Sequence, residues 1–423
     1  MLVFYLFALL VVSLGIESLR GGFRYLAFVR RELKRERTSF TPFASIIAPC
    51  RGLDQGLRDN LRALFNQDYP AYEIIFVTDS AEDPALSVVE ELRSELAGRS
   101  HVKSRVLVAG AATESGQKVH NLRVAAAEID GMSSVLVFVD SDARAQRDWL
   151  RMLVAPLEDA SAGAATGYRW FIPVRGGFAS HLRSCWNASI ASALGERTDK
   201  NFCWGGSTAI RRATFERLNV RERWRGALSD DFALMRVLQE ARLPVHFVPG
   251  CLTPSFEDCG PLELIEFTTR QLKITRVYAP HLWKAVLVGS FLFVTVFFGG
   301  LALTLGRAAL GLSYLTPLLF VALIFGLGTA KAYVRWRAVM LALAAHSKEL
   351  RPGLPAQLLL WPVASVLYLY NALSAAFSRR IIWRGITYEL KSPTETVIID
   401  GVGNPKTVLL ESKARKCPVK PFN

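Results

Sequence analysis

Residues 134–142 read SVLVFVDSD, an apolar, β-branched run that ends abruptly on two carboxylates, Asp140 and Asp142. Such a run reads as a buried strand. Three similar runs precede it: FASIIA from Phe43, YEIIFV from Tyr72 and SRVLVA from Ser104. Each lies roughly thirty residues from the next, the length of one β-α-β unit. The segments between them carry helical periodicity. Leu57, Leu61, Leu64 and Phe65 share one face; Leu86, Val89, Leu92 and Leu96 a second; Val119, Leu122 and Ala126 a third. Apolar strands alternating with amphipathic helices predict an α/β domain whose mostly parallel sheet is covered on both faces. In such sheets ligands bind beyond the carboxyl ends of the strands. There the sequence places PCRGLD after the first run, TDSAED after the second and DSDARAQRDW after the fourth.

Outside this block the chain is unusually apolar, with 51% hydrophobic residues over 423 and a mean hydropathy of +0.23. Leu2 to Leu19 contains one charge, Glu17, and matches the ~20 residues that cross a bilayer. A basic n-region and a small-residue cleavage site are missing, so residues 1–20 read as an uncleaved anchor. Arg20 closes it, and a basic linker over 21–40 follows, with Arg24, Arg30, Arg31, Lys34, Arg35 and Arg37 interrupted by Glu32 and Glu36. That charge holds its side of the membrane cytoplasmic and is drawn to anionic lipid.

Residues 41–283 have the mixed composition of a globular domain. Within 284–378, two stretches (AVLVGSFLFVTVFFGGLALTL and YLTPLLFVALIFGLGTAKAYV) suffice to span. A third, AQLLLWPVASVLYLYNALSAAFS with Pro362, either spans or lies in the interface. Residues 379–423 read as a soluble tail. If all the segments crossed, the basic tail would lie opposite the cytoplasm, against the positive-inside tendency; a non-spanning third segment removes that conflict. The net charge of +14 sits largely beside the hydrophobic spans, and without a nucleic-acid module it argues against nucleic acid as a partner. Cys50, Cys185, Cys203, Cys251, Cys259 and Cys417 form no C-x-x-C pair and read as buried thiols in a reducing compartment.

Several residues carry candidate chemistry. Asp140 and Asp142, turning off a strand, can share a divalent cation with a diphosphate, and hard oxygen ligands suit Mg²⁺ or Mn²⁺; alone, D-x-D is also an ordinary polar turn. Asp79 can accept hydrogen bonds from a base or ribose or serve as a turn acid, with Asp83 and Ser80 better placed to cap the next helix. Lys118 opens a helix on the same edge, to neutralise phosphate or simply to be solvated. Ser229 reads as an N-cap, and Asp230 and Asp231 as first-turn acids that suit the helix dipole. One of them near the metal edge can instead take the proton of an acceptor hydroxyl. Gly205 and Gly206 permit close backbone approach of a substrate, or form a turn. Arg270, Lys273 and Arg276 recur at helical spacing, to grip a diphosphate or to line an interfacial helix. Trp186 and Ile190 on a helix near Leu182 to Leu194 either admit a lipid or pack in the core. The six histidines are scattered and fit no ligand pair.

The order P-C-x-G-x-D, D, K-x-x-N-L, D-S-D, G-G-S, D-D, R-x-x-K resembles the inverting family 2 glycosyltransferases, and within them the ceramide glucosyltransferase-like branch, which includes hopanoid-linked sugar transferases. RRIIWRGITYEL from Arg379 resembles that branch's closing segment, so the likeness runs from about Phe43 to Leu390. The resemblance implies a Rossmann-like GT-A catalytic domain with membrane helices at both ends. It implies transfer of a sugar from a nucleotide-sugar, a UDP-sugar by the branch, to a membrane lipid at the cytoplasmic face of a bacterial inner membrane. Carried over by position, Pro49, Arg51, Gly52, Asp79, Lys118, Asn121 and Asp140 lie on the donor side with Arg270 and Lys273. Asp140 and Asp142 bind the metal. Gly205, Gly206, Ser207 and Asp230 lie on the acceptor side, and Asp231 is the base. The family's Q-x-x-R-W box here reads Arg270-Gln-Leu-Lys273-Ile274, so the tryptophan on which processive synthases hold a growing chain is absent. A processive β-glycan synthase is the rival enzyme, expected to show more spanning helices and an intact box; a membrane-tethered nucleotide-sugar binder without turnover is the rival of another class.

Overall fold

The computed structural model describes residues 1–35 and 38–400; Glu36, Arg37, Cys417 and the remainder of the tail lie outside the described residues. The four apolar runs form β1 (Ala44–Pro49), β2 (Tyr72–Thr78), β3 (Val102–Val108) and β4 (Val135–Phe138), all parallel. With β5 (Ala164–Ile172), β6 (Thr208–Arg211) and β7 (Val245–Phe256) they make one sheet in the order β3-β2-β1-β4-β6-β5-β7. β6 runs antiparallel to both β4 and β5, a reversal that the repeating pattern does not announce. Ala44 pairs with both Tyr72 and Val135, so the carboxyl ends of β1, β2 and β4 come out near one level. β3 starts earlier than its apolar run and is only half-buried, because it is an edge strand with one neighbour. Helices Leu57–Phe65, Ala85–Glu95 and Gln117–Ala127 bury the expected stripes, apart from Leu86 and Leu96, which are half-buried.

The anchor helix runs from Leu2 to Glu32 without a break, so most of the segment expected as a linker is helical. The reason is local: Tyr25, Leu26, Phe28 and Val29 form an apolar stripe that packs into the core of the α/β domain, while Arg24 and Arg30 stay exposed. Helices Pro280–Ala309 and Leu315–Ala342 are also long and apolar enough to span, and Ala344–Leu359 meets Trp361–Phe377 at a bend of 72°. Both ends of this bent pair touch the α/β domain. Before it, Trp336 packs against Trp170 of β5, with ring centroids 6.3 Å apart. After it, Arg384 pairs with Asp54 at 2.5 Å. With both ends against one domain, the pair has the arrangement of a re-entrant loop rather than of a broken span, and it is called the re-entrant pair below.

Of the segment expected as a soluble tail, the described residues are folded rather than trailing. β8 (Arg380–Trp383), β9 (Ile386–Ser392) and β10 (Glu395–Asp400) form a small antiparallel sheet. Its Ile381, Ile386, Tyr388 and Leu390 are buried in the same core as Val119, Leu122 and Leu234.

Candidate active site

The turn after β4 carries Asp140-Ser141-Asp142, and each acid is met by a cation from another element. Lys118, in the first turn of helix Gln117–Ala127, lies 2.7 Å from Asp140 and 3.1 Å from Asp230. Arg169 of β5 spans both motif acids, 3.3 Å from Asp140 and 3.1 Å from Asp142, and its guanidinium lies 4.9 Å from the Trp204 ring centre. Burial alone would raise the Asp140 carboxyl, but Lys118 and Arg169 outweigh it and hold it below the usual range. Burial also opposes the Lys118 charge, and Asp140, Asp230 and Asp231 reverse that effect, keeping it above its ordinary value. Asp230 is the least satisfied: burial, opposed by Lys118 and reinforced by Asp231 and Asp140, pushes it up to about 6.

Asp142 differs from Asp140. Its Oδ2 accepts from Arg169, whereas Oδ1 is buried without a hydrogen-bond partner. A buried, unpaired carboxylate oxygen is costly unless something fills its place, and a divalent cation fits that atom. Among the described residues no group of three or more His, Cys, Asp or Glu side chains forms a cage. Mg²⁺ sites commonly use one or two carboxylates plus substrate phosphates, so the Asp140–Asp142 pair fits that donor set.

These acids line a cavity of about 410 Å³, within the ~300–1,000 Å³ typical of small-molecule sites. Pro49, Arg51, Lys118, Asn121, Asp140, Asp142 and Arg270 all line it. Asp79 stands behind Arg51, which it holds at 2.7 Å, and Gly52 offers its amide to Asp83 at 2.9 Å. Asp83 also receives the Ala85 amide at the start of the next helix, which leaves Asp79 out of the capping role. A larger surface depression of about 720 Å³, between Glu222–Glu240 and Pro393–Ile398, contains none of the expected residues.

Other expectations need correction. Lys273 does not line the cavity; its ammonium donates to the Arg380 carbonyl at 2.8 Å, and Arg276 donates to the Ala375 carbonyl. Both secure the chain returning from the re-entrant pair, although i, i+3 spacing makes Lys273 a neighbour of Arg270 on the helix surface. The glycine pair accommodates protein rather than substrate. A Cβ at Gly205 would sit 2.2 Å from Asp230 and 2.7 Å from Lys118, and one at Gly206 would strike the Trp204 ring at 2.2 Å. The buried Ser207 hydroxyl accepts from the Trp149 indole at 2.8 Å. Asp230, 4% exposed, is locked to Lys118 rather than presented to an acceptor. Asp231 is half-buried, with Oδ1 accepting from the Ser229 hydroxyl and from the Phe232 amide at 2.7 Å. Ser229 thus holds the N-cap position, yet its hydroxyl serves Asp231. Trp186 stacks on Tyr368 of the re-entrant pair at 4.8 Å, so the core reading of that helix holds.

The cavity also has residues to which the sequence reading assigned no role. Arg183 binds Glu257 at 3.1 Å, and Glu257 keeps its other oxygen buried and unpartnered; burial, opposed by Arg183 and helped by Asp142, raises its carboxyl. Trp383 and Arg384 enter from the C-terminal hairpin. One signal was available for Arg169 and Arg183: each is a lone charge in an otherwise apolar or small-residue element, AATGYRWFI and FASHLRSCWNASIA, and such charges are almost never buried unless paired.

Residues 5–396 match the family model for glycosyl transferase family 21. Ceramide glucosyltransferase 1 of Caenorhabditis elegans is 30% identical over 98 residues, 23% of this chain and 20% of that protein. Ceramide glucosyltransferase of Komagataella phaffii (strain GS115 / ATCC 20864) is 36% identical over 63 residues, 15% of this chain and 12% of that protein. The matched segments therefore span a fifth or less of these relatives. Among solved structures, the mannosyltransferase PcManGT from Pyrobaculum calidifontis, in complex with GDP-Man and Mn²⁺, aligns with a TM-score of 0.45 at 16% identity, over 88% of this chain and 98% of that one. GalNAc-T7 with UDP, GalNAc and Mn²⁺ aligns with a TM-score of 0.37 at 14% identity, over 57% and 48%.

Proposed function

The chain belongs to glycosyl transferase family 21, and on that premise we propose that it moves a sugar from a UDP-sugar to a membrane lipid. The observation that carries this reading is the cavity itself. Its acidic side is Asp140 and Asp142, and its other side is formed by helices Phe178–Ala191 and Pro261–Tyr278, which pack on the re-entrant pair. A polar donor and an acceptor arriving from the bilayer can therefore meet at one place.

The reaction is a single inverting displacement. Asp231 takes the proton from the acceptor hydroxyl. The acceptor oxygen bonds to the sugar C1 as the C1–O bond to phosphate breaks, and the nucleoside diphosphate leaves with the electron pair. Although neither acid is among the residues lining the cavity, Asp231 suits this role better than Asp230, whose carboxylate is already bound by Lys118. Arg270, whose guanidinium faces rings rather than a bonded carboxylate, stabilises the leaving phosphates. Burial, countered by Glu266 but assisted by Arg384 and Arg169, lowers Arg270 to about 10, so its charge is poorly compensated until an anion arrives. A Mg²⁺ or Mn²⁺ ion held by Asp142 with Asp140 would supply positive charge to the diphosphate.

Purified protein incubated with labelled UDP-sugars, a GDP-sugar and a total lipid extract should yield a labelled lipid from a UDP-sugar. Label confined to water-soluble products, or to a polymer, would overturn the reading. The cytoplasmic placement of the domain rests on the basic run. Cysteines introduced at Ser39 and Lys391 should both resist impermeant maleimide in intact cells, and labelling of either would reject it.

A further inference from the structure

β8 and β9 are joined through Arg384 and Gly385, with φ of 51° and 77°. Two consecutive left-handed residues make the tight hairpin turn that normally favours Asn-Gly or Asp-Gly. An arginine is disfavoured at the first of these positions, and such strain persists only where surrounding contacts fix it. Here they do. Ile381, Ile386, Tyr388 and Leu390 bury the body of the hairpin, and the Tyr388 hydroxyl accepts the Gln117 amide at 3.2 Å. The turn is thereby held at the mouth of the cavity, with Arg384 at its tip.

The cations of the cavity can be accounted for one by one. Lys118 is divided between Asp140 and Asp230, Arg169 between Asp140 and Asp142. Arg51 is bound to Asp79 and Arg183 to Glu257. Arg270 meets only aromatic faces among its described contacts, Phe267 and Trp383, each 5.6 Å away. Arg384 is held by Asp54, at 2.5 Å to one oxygen and 2.8 Å to the other, while its side chain keeps 42% exposure. Asp54 in turn accepts from Ser141, the residue between the two motif acids, at 3.1 Å. Burial opposes the Arg384 charge, but Asp54, with Asp142 and Asp140 behind it, holds the guanidinium above its ordinary value. A bidentate guanidinium at a partly open mouth has the fork geometry that suits phosphate oxygens as well as carboxylate.

We propose that Arg384 is a donor-binding residue: it provides the second cation for the nucleoside diphosphate, beside Arg270, in the place that helical spacing assigned to Lys273. Trp383, next to it on the hairpin, positions Arg270 from below and puts an indole at the cavity although the box itself ends in the buried Ile274. The C-terminal hairpin is then a working part of the donor site. This inference rests on the glycosyltransferase reading of the cavity.

The test measures binding of UDP with Mn²⁺, GDP with Mn²⁺, and the matching nucleoside to the full-length protein in detergent. Arg384→Gln should weaken diphosphate binding by about 10- to 100-fold, the range expected for loss of a charge-assisted contact, and leave the nucleoside within about twofold. Arg384→Lys should recover part of the loss, since it keeps the charge without the fork. In the parent protein, UDP with Mn²⁺ should shield Arg384 from phenylglyoxal, read by peptide mass spectrometry; this arm does not depend on a variant folding. Undiminished diphosphate binding by Arg384→Gln, an equal loss for nucleoside and diphosphate, or unchanged phenylglyoxal labelling would each overturn the role of Arg384 alone. A parent protein that binds neither UDP nor GDP would instead remove the functional reading and this inference with it.

Discussion

The two sides of the cavity are built by different rules. The acidic side comes from the turn after β4, from Arg169 within β5 and from the first turns of two helices, and its charges are knitted pairwise: Lys118 joins Asp140 to Asp230, and Arg169 joins Asp140 to Asp142. Its geometry is fixed before any ligand arrives, with one unpartnered oxygen on Asp142. The other side is aromatic and basic. It is assembled from helix Pro261–Tyr278 and a hairpin more than a hundred residues later, with Arg270 and Trp383 in contact across that gap. One side arrives satisfied, the other with charge to spare. Preorganised charge costs no rearrangement during the reaction, whereas Arg270, which faces only rings among its described contacts, gains an anionic partner when a diphosphate binds.

This contrast predicts a gradient of effects. The largest belongs to Asp231→Asn, which keeps shape but cannot take a proton: transfer should fall about 10²-fold or more with UDP affinity nearly unchanged. Equal turnover would make it a structural acid, and a dead Asp230→Asn beside an active Asp231→Asn would move the base by one residue. Next is Asp142→Asn, expected to abolish the metal-dependent part of UDP binding; calorimetry that gives the same affinity with and without chelator in the parent would dismiss the metal role.

Arg169→Met sharpens the comparison directly. Removing one partner of a buried ionic network costs about 3–5 kcal/mol, so this variant should lose both donor affinity and melting temperature. Arg384→Gln, on the open side, should lose affinity with little change in melting temperature. If the two variants behave alike, the distinction between a preorganised and a receiving side is wrong.

The pH dependence of Asp230 is smaller and has a defined sign. Its carboxyl is raised from 3.8 to about 6 in the fold, so the native state binds the proton more tightly than the unfolded chain. That contribution to stability is full below about pH 4 and is lost as pH rises through about 6. The melting temperature of the parent minus that of Asp230→Asn should therefore decline between those values and stay flat above about pH 7. A difference independent of pH would show that Lys118 fully neutralises the acid. Smallest of all, Lys273→Gln should change UDP affinity less than about threefold, because its ammonium caps the Arg380 carbonyl; a loss as large as that for Arg384→Gln would return Lys273 to the donor site.

Much of this architecture is legible in the amino-acid sequence alone. β1 to β4 and their helices repeat at a near-constant interval, and buried strands leave apolar runs that periodicity detects. The acids at the ends of those strands inherit their position from them, which is why Asp140, Asp142, Lys118 and Asn121 fall together in the cavity. Asp79 is placed by the same rule but stands behind Arg51, to which it is paired. The anchor and the two long apolar helices are set by length and hydropathy, for a bilayer constrains composition along a continuous segment. Only the tertiary structure decides the rest. Whether Gly205 makes room for substrate or for Asp230, which of Arg270 and Lys273 faces inward, and whether the bent pair crosses depend on which elements lie against each other. The hairpin shows this most plainly. Trp383 and Arg384 follow the membrane segments in sequence and carry no periodic signal, and they reach Arg270 and Asp54 only because the re-entrant pair returns the chain to the side it left. Local patterns record what one segment buries; the pairing of distant charges is fixed by packing, which no single segment encodes.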